Sequence, residues 1–344
     1  MFQIGVIGCG KIAQLRHLPE YADNPDVRLA ALFDINSQRA QELARQYGAK
    51  ACATWQEMLD DPTIDAVSIC TANTSHAEMA IAALKAGKHV LCEKPMAITL
   101  EDCEAMTRIA REKGLHLMID QNQRLAEAHV KAKELIDRGE IGKPLNFYTT
   151  FRHGGPETWS VDPGSNTWFF DKKRAAMGAM ADLGVHKTDL IQYLLGQQVV
   201  ETRAMLTTLD KRFADGSLIG VDDNAYCIYR LSGGAVGTMT ASWTNYGPED
   251  NSTIIQGTEG VLRIYADPEH VLTLHRKDGQ TVHYDVGAIQ TNDNQTKSGV
   301  IDLFVSMLKG ESEGIPASSV LPAMRAVFAS IESSEKGTAV LVRQ

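Results

Sequence analysis

The stretch Ile4-Gly5-Val6-Ile7-Gly8-Cys9-Gly10-Lys11-Ile12-Ala13 decides the fold of this chain. An apolar run leads straight into a Gly-x-Gly-x-x-Ala turn. A second apolar run, 27–33, ends at Asp34, twenty-one residues after Ala13. A strand, a glycine turn, a helix and an acidic residue in this order are the fingerprint of a dinucleotide-binding βαβ unit. We therefore expect a doubly wound parallel sheet whose first turn binds a nicotinamide dinucleotide.

Each position of this turn has its own physical role. Gly8 allows a tight turn, Gly10 lets a pyrophosphate approach the backbone, and Ala13 is small enough for the helix to pack on the strand. The N–H groups at the helix N-terminus attract the phosphates, and Asp34 is placed to accept hydrogen bonds from a ribose diol. The predicted cofactor contacts here are Gly8, Gly10, Lys11, Ile12, Ala13, Asp34 and Ile35. The alternative, a tight turn without a ligand, leaves the acidic residue unexplained.

The residues after the second apolar run predict which cofactor is bound. The Asp34 carboxylate repels the 2′-phosphate of NADP, and Ile35 offers that phosphate no donor. The sequence therefore favours NAD. Ser37 and Arg39 follow closely, so NADP stays open as a second cofactor.

Length, charge and cysteine content limit the class of protein. A chain of 344 residues exceeds one typical core, so we expect two domains, 1–121 and 122–344. A net charge of −9 argues against nucleic acid and anionic membranes as partners. No run of 18 apolar residues and no basic leader is visible, which favours a cytoplasmic protein. The six cysteines show no metal-ligand spacing, so we expect free thiols and no metal.

The hydrophobic pattern of the sequence changes after residue 121. Leu145 to Phe151 alternates, and several alternating runs follow between Val200 and Asp285, broken by glycine-containing turns. This pattern predicts an α/β domain with a large, open, mainly antiparallel sheet. Helices are expected at about 126–138 and 321–335.

Two short segments carry candidate chemistry. Glu93-Lys94-Pro95 directly follows a predicted strand, and ligands of parallel α/β sheets lie beyond the carboxyl ends of the strands. On a helix, Asp182, His186 and Asp189 would share one face, so Asp182 could orient His186 as a general base. The alternatives are a solvated lysine at a strand end and a polar helix face.

Taken together, three segments resemble the Gfo/Idh/MocA oxidoreductases: Gly8-x-Gly10-x-x-Ala13, the 86–95 segment that ends in Glu93-Lys94-Pro95, and Asp182-Leu-Gly-Val-His186. The resemblance implies a Rossmann domain and an α/β domain whose open sheet often forms an oligomer interface, as in a homodimer or homotetramer. It implies hydride transfer to or from a secondary alcohol of a sugar, cyclitol or related polyol. The implied catalytic residues are Lys94, Asp182 and His186. The implied cofactor contacts include Thr71, Asn73, His76, Glu93 and Lys94.

The substrate side is less defined by the sequence. Trp168 resembles a tryptophan that precedes the catalytic helix in the family. Asn122, Arg152 and Tyr246 are further candidates for substrate contacts. The chain departs from the family at 174–178, where many relatives carry glycines. Two alternatives remain open: a regulatory protein of the same fold, and an enzyme acting on a non-sugar substrate such as a dihydrodiol or an imine. The presence of Lys94, Asp182 and His186 together favours catalysis.

Overall fold

A computed structural model describes residues 1–288 and 297–343, and in it the chain forms two compact units. The first unit contains Met1–Gln121 and two later segments, 159–162 and 297–321. The second unit contains Asn122–Thr158, residues 163–288 and residues 322–343. The return of later segments to the first unit is a tertiary feature, because nothing in their local periodicity distinguishes them.

The first unit is built on a six-stranded parallel sheet in the order β3-β2-β1-β4-β5-β6. Its strands are β1 Phe2–Ile7, β2 Val27–Phe33, β3 Lys50–Ala51, β4 Ala66–Ile69, β5 His89–Cys92 and β6 Leu117–Ile119. The intervening helices are α1 Leu18–Asp23, α2 Ser37–Tyr47, α3 Gln56–Asp60, α4 His76–Lys85 and α5 Leu100–Lys113. This order is the doubly wound arrangement of a dinucleotide-binding fold, so the predicted fold of the first unit is confirmed.

Local sequence signals place the ends of these helices. Thr99 begins α5, and its Oγ1 accepts the Asp102 N–H at 3.1 Å. Gly48 and Gly114 end α2 and α5 in the left-handed conformation, with φ of 65° at both positions. The side-chain cap at the start and the glycine at the end satisfy backbone groups that a helix terminus leaves unpaired.

The second unit is built on a nine-stranded sheet in the order β14-β13-β12-β11-β7-β10-β9-β8-β15. The strands are β7 Pro144–Arg152, β8 Val199–Thr207, β9 Asn224–Leu231, β10 Val236–Ser242, β11 Thr253–Gly257, β12 Gly260–Ile264, β13 Leu272–Arg276, β14 Thr281–Tyr284 and β15 Val340–Leu341. β7 and β10 run parallel, whereas the other neighbours are antiparallel. The prediction of a large, mainly antiparallel sheet is confirmed.

The remaining helices are α6 Glu127–Asp137, α7 Lys172–Ala175, α8 Val185–Leu195, α9 Val300–Leu308 and α10 Ala317–Lys336. Helix α10 packs on the large sheet through its serines. Ser330 Oγ lies 2.9 Å from Thr202 Oγ1, and Ser333 Oγ accepts the Ala204 N–H at 2.9 Å. One face of the sheet is therefore covered.

The other face of the large sheet is exposed within the chain. Along β9 the side chains alternate, with Cys227 and Tyr229 buried and Tyr226 and Ile228 exposed. Large apolar side chains on the exposed face are Tyr148, Met205, Tyr226, Ile228 and Val236. Period-2 alternation is what a sheet with one covered face requires. Among the helices in the described residues, none has the length and apolar character needed to cross a membrane.

Candidate active site

The turn after β1 has the backbone that the motif demands. Gly8 has φ of 95°, and its N–H donates to the Phe33 carbonyl at 2.7 Å. A Cβ on Gly8 would lie 2.6 Å from the Cys70 carbonyl oxygen, so only glycine fits. At Gly10 the nearest such atom is 4.0 Å away, which leaves the approach to the backbone open. Ala13 is fully buried at the start of a helical turn, Ala13–His17. The free space at Gly10 fits a pyrophosphate.

Asp34 is held by two backbone amides. Its Oδ2 accepts the Cys9 N–H and its Oδ1 accepts the Asn36 N–H, both at 2.7 Å. Arg39 Nη1 lies 3.7 Å from Oδ1. Each carboxylate oxygen has a second lone-pair site, which is what a ribose diol would use. The carboxylate thus joins the glycine turn to the residues after β2, a role that the sequence did not show.

Ile35, Lys11 and Ile12 lie around this turn with different exposures. The Ile35 side chain is 81% exposed, whereas Lys11 and Ile12 are half-buried. The exposed Ile35 side chain, next to Asp34 in the chain, offers an apolar surface for a base or a ribose. Their assignment as cofactor contacts stays a prediction.

The segment Glu93-Lys94-Pro95 follows β5, as predicted. Glu93 is buried, its Oε1 lies 3.0 Å from His17 Nε2, and its Oε2 accepts the Lys94 N–H at 3.2 Å. The Lys94–Pro95 peptide is cis. The carbonyl of Pro95 contacts His76 Nδ1 at 2.7 Å. The backbone on both sides of Lys94 is therefore held by buried side chains.

The loop after β4 carries the other predicted cofactor contacts of the first unit. Asn73 begins a short helical turn, Asn73–Ser75, and is buried. His76 Nε2 lies 3.1 Å from the Thr71 carbonyl, so both ring nitrogens of His76 face backbone oxygens. Burial lowers the pKa of His76. This contact pattern ties the Thr71 loop to Pro95.

In the second unit, Asp182 and His186 lie on one continuous helical segment that begins irregularly. Asp182 belongs to a wide π turn, Met180–Gly184, and His186 to the first turn of α8. Both side chains are buried. The uniform 3.6-residue helix assumed from the sequence is therefore wrong across this turn. The prediction that Asp182 orients His186 stays a prediction.

Two residues from distant strands surround Asp182. The Trp243 indole N–H donates to Asp182 Oδ2 at 3.0 Å. His153 Nε2 lies 3.8 Å from the same oxygen, and the ring of Phe151 lies 6.3 Å from that of His186. Sequence reasoning missed Trp243, because nothing in its local pattern distinguishes a tryptophan at the end of a strand from core packing.

Asp222 caps the turn that carries Asp182. Its Oδ1 and Oδ2 accept the N–H groups of Gly178 and Met180 at 2.8 and 2.7 Å. A Cβ on Gly178 would lie 1.8 Å from the Asp222 carbonyl oxygen, so the glycine is required. Burial raises the pKa of Asp222 to about 6. The acidic pair 222–223 before a strand was the sequence signal that could have identified this cap.

Asp189, which the sequence places on the same helix face as Asp182 and His186, is paired with Arg124. Its carboxylate accepts two hydrogen bonds from Arg124, from Nε at 2.7 Å and from Nη2 at 2.6 Å. The pair is buried, which satisfies both charges. The side chain next to His186, Lys187, is also fully buried, and its Nζ donates to the Asn251 carbonyl at 2.8 Å. Burial lowers the pKa of Lys187 to about 7.

Three of the four predicted substrate contacts have partners within the chain. Arg152 is paired with Asp250, and the Tyr246 hydroxyl donates to Asp210. Trp168 stacks on the ring of Phe169 at 3.9 Å. Asn122 begins a short helical turn, Asn122–Leu125, and is half-buried. Their role toward a substrate stays a prediction.

Comparisons with known proteins identify the family of this chain. Residues 2–121 match the model of an oxidoreductase family with an NAD-binding Rossmann fold, GFO/IDH/MocA, and residues 129–263 match the C-terminal domain of that family. Levoglucosan dehydrogenase of Pseudarthrobacter phenanthrenivorans is 35% identical over 250 residues, which are 67% of this chain and 63% of that protein. Myo-inositol 2-dehydrogenase of Thermotoga maritima is 30% identical over 287 residues, 81% of this chain and 79% of that one.

A solved structure extends the likeness to the whole chain. Levoglucosan dehydrogenase in complex with NADH and levoglucosan superposes with a TM-score of 0.85 and 28% identity, covering 100% of this chain and 99% of that one. This chain therefore belongs to the GFO/IDH/MocA oxidoreductase family, and its first unit is an NAD-binding Rossmann domain.

Proposed function

We propose that this protein is an NAD-dependent dehydrogenase that transfers a hydride between nicotinamide and a secondary alcohol of a sugar, cyclitol or related polyol. One observation carries the proposal: buried Asp182, contacted by Trp243 and His153, lies on the turn that leads into His186. Such a setting suits acid–base chemistry on a hydroxyl. The named relatives act on levoglucosan and myo-inositol, which supports a polyol as substrate.

Binding of the dinucleotide is assigned to the first unit. The open backbone at Gly10 would receive the pyrophosphate, and Asp34 would accept the ribose hydroxyls. When bound, the nicotinamide ring supplies the acceptor or donor of the hydride. Thr71, Asn73 and Glu93 complete the proposed cofactor contacts.

The proton and the developing charge are handled by this chain's own residues. For alcohol oxidation, neutral His186 accepts the hydroxyl proton as the hydride leaves the carbon, and becomes an imidazolium. The Asp182 carboxylate stabilises that imidazolium. The Lys94 ammonium donates a hydrogen bond to the alkoxide oxygen, which lowers the barrier where negative charge develops. Reduction of a ketone follows the same steps in reverse.

The test is a substrate screen. We expect reduced nicotinamide to appear, by its absorbance, when the protein is given NAD and a panel of cyclitols, aldoses, glycosides and anhydrosugars. The matched control is the His186→Ala protein on the same panel. Turnover that is equal in both proteins would contradict the assigned acid–base residue, and binding of NAD without turnover on any polyol would favour the regulatory or non-sugar alternatives.

We also propose that the protein assembles as a homodimer or a dimer of dimers through the exposed sheet face. Tyr148, Met205, Tyr226, Ile228 and Val236 present a broad apolar surface of the kind that a second copy covers. Light scattering at micromolar concentration should give a dimer or tetramer, and Ile228→Lys should dissociate it. The control is Val130→Lys, an equally exposed apolar side chain on α6. A monomeric wild-type protein would contradict the proposal.

A cytoplasmic location is the last part of the proposal. All six cysteines are buried and free, and reduced thiols are typical of a reducing compartment. Fractionation of the producing cells tests this, and recovery of the protein outside the cytoplasm would overturn it.

A further inference from the structure

A buried cluster of ionisable side chains lies at the carboxyl ends of β4, β5 and β6. His17 is 1% exposed and lies between two carboxylates, with its Nε2 3.0 Å from Glu93 Oε1 and 3.6 Å from Asp120 Oδ2. Glu93 and Asp120 directly follow β5 and β6. Buried carboxylates without a counter-charge are costly, so His17 must have a role in this cluster beyond packing.

The charge of the cluster follows from its contacts. Burial alone would lower the pKa of His17, but the neighbouring carboxylates of Asp120 and Glu93 raise it well above its ordinary value. Burial and the nearby Asp120 raise the pKa of Glu93. The pKa of Asp120 is lowered despite burial, because the His17 ring lies 3.6 Å from its carboxylate. His17 is therefore the cation, and Glu93 is the carboxylate that gains a proton first if the cation is lost.

Glu93 connects this cluster to Lys94. Its second oxygen, Oε2, accepts the Lys94 backbone N–H at 3.2 Å. On the far side of Lys94, the Pro95 carbonyl is held by His76 Nδ1 at 2.7 Å. The Lys94 backbone N–H is therefore held by the Glu93 carboxylate, which in turn contacts His17.

His17 also belongs to the cofactor-binding turn. It is the last residue of the helical turn Ala13–His17 that begins at the final position of the glycine motif. One side chain thus joins the turn that would bind the pyrophosphate to the strand end that carries Lys94.

We propose that His17 is a positioning residue for Lys94: as a buried imidazolium between Glu93 and Asp120, it holds the carboxylate that fixes the Lys94 backbone. This inference rests on the proposed role of Lys94 in catalysis. Neither His17 nor Asp120 belonged to the site residues expected from the sequence.

Four other ionisable side chains lie around the cluster: Arg16, Tyr21, Cys70 and Lys94. The Tyr21 hydroxyl, on α1, is hydrogen-bonded to Ser68 Oγ at 2.6 Å, and burial raises its pKa. Burial likewise raises the pKa of the Cys70 thiol. Arg16 acts electrostatically on Asp120 and Lys94 on Glu93, and both residues are unchanged in the His17 variants. A pH dependence that appears when His17 is removed therefore reports on the two carboxylates.

The first arm of the experiment compares His17→Gln with the wild-type enzyme on the best substrate of the panel. We expect kcat to fall by about 10- to 100-fold, the scale of a small displacement of a catalytic group. NAD affinity, measured by calorimetry, should fall by a smaller factor than kcat, because the glycine turn and Asp34 remain. The matched control is His116→Gln, a half-buried histidine of the same unit outside the cluster. The same loss in that control, or no loss in His17→Gln, overturns the proposal.

The second arm tests the charge directly. With His17 gone, two buried carboxylates repel each other at high pH, whereas protonation of Glu93 relieves the repulsion at low pH. The ratio of variant to wild-type kcat should therefore fall as pH rises. Removing one charge, in His17→Gln with Asp120→Asn, should recover most of the lost kcat relative to His17→Gln alone. A role in packing alone predicts a flat ratio and a double variant at least as damaged as the single one.

Three further measurements distinguish the possible outcomes. If His17→Gln does not fold, Glu93→Gln takes its place: it removes the charge beside Lys94 at constant size, and wild-type kcat in that variant overturns the proposal. One ring nitrogen of His17 and one carboxylate oxygen each of Glu93 and Asp120 lie within 4.8 Å of one another, so the purified protein is also analysed for metal. A stoichiometric divalent cation that is bound by the wild-type protein and lost in His17→Gln would overturn the proposal that His17 is an imidazolium.

Lys94→Ala separates this inference from the proposed function. If Lys94→Ala keeps wild-type turnover, the proposed catalytic role of Lys94 fails. If turnover is lost in Lys94→Ala and not in His17→Gln, only this inference fails.

Discussion

The two sheets of this protein place chemistry in different ways. In the six-stranded parallel sheet, the polar residues directly follow the strands, as Asp34 follows β2, Glu93 follows β5 and Asp120 follows β6. In the nine-stranded sheet, the polar residues come from a helical turn, a strand end and a loop distant in sequence, such as Asp182, Trp243 and Asp222. A parallel sheet aligns all its carboxyl ends on one edge, whereas an antiparallel sheet does not. The polar residues that gather at the parallel sheet can therefore be predicted from the ends of its strands. Those beside the nine-stranded sheet cannot be predicted in this way.

The largest expected effect tests the second unit. His186→Ala should lower kcat by roughly 10²–10⁴-fold, the range for loss of a general base. NAD affinity should be unchanged because the glycine turn belongs to the other unit. Steady-state kinetics and calorimetry measure the two quantities, and His275→Ala on β13 serves as the control. Near-wild-type turnover in His186→Ala would contradict the proposal that the second unit supplies the acid–base residue.

The next effect tests how strictly the parallel sheet fixes its first turn. Gly8→Ala should destabilise the protein by roughly 2–4 kcal/mol, because φ is 95° and the new Cβ would lie 2.6 Å from a carbonyl oxygen. Gly48→Ala is the matched control, with φ of 65° and no atom within 4 Å, and should cost only about 1 kcal/mol. Urea denaturation gives both values. Equal losses in the free energy of unfolding for the two variants would show that the close approach of residue 8 to Cys70 does not affect stability.

A smaller effect concerns cofactor choice. Asp34→Ser should shift the ratio of the NADP and NAD dissociation constants toward NADP by about tenfold, because a carboxylate that repels the 2′-phosphate is removed. The structure adds a cost, since the Cys9 and Asn36 N–H groups lose their acceptor, so the melting temperature should also fall. Glu42→Ser, an exposed charge on α2, is the control for net charge. An unchanged ratio would contradict the role of Asp34.

The smallest expected effect concerns Lys187, a buried lysine of the second unit, and its influence on the pH dependence of stability. The pKa of Lys187 falls to about 7 in the folded state from an ordinary value of 10.5, so above pH 7 unfolding takes up a proton. Stability should therefore rise with pH in wild type relative to Lys187→Met, by roughly 2 kcal/mol between about pH 7 and 9. The free energy of unfolding at each pH is the measurement, and Lys113→Met, an exposed lysine, is the control. Parallel pH profiles for wild type and Lys187→Met would refute the prediction.

Much of the fold was predictable because its signals are local. The glycine turn, the apolar run into Asp34, and the caps at Thr99, Gly48 and Gly114 each act within a few residues. Alternation along β9 likewise predicted a sheet with one exposed face. The π turn at Met180–Gly184 was not predictable, since it depends on the Asp222 carboxylate, more than forty residues away.

The sequence by itself determined the parallel sheet, the dinucleotide turn, the candidate acid–base residues and the antiparallel character of the second unit, because hydrophobic period and glycine geometry are short-range properties. Only the tertiary structure decided which buried polar side chains contact one another. Asp189 pairs with Arg124, Asp182 accepts a hydrogen bond from Trp243, and His17 contacts both Glu93 and Asp120. Such pairings join segments separated by up to about a hundred residues, and their stability comes from shared burial, which no local pattern of residues encodes.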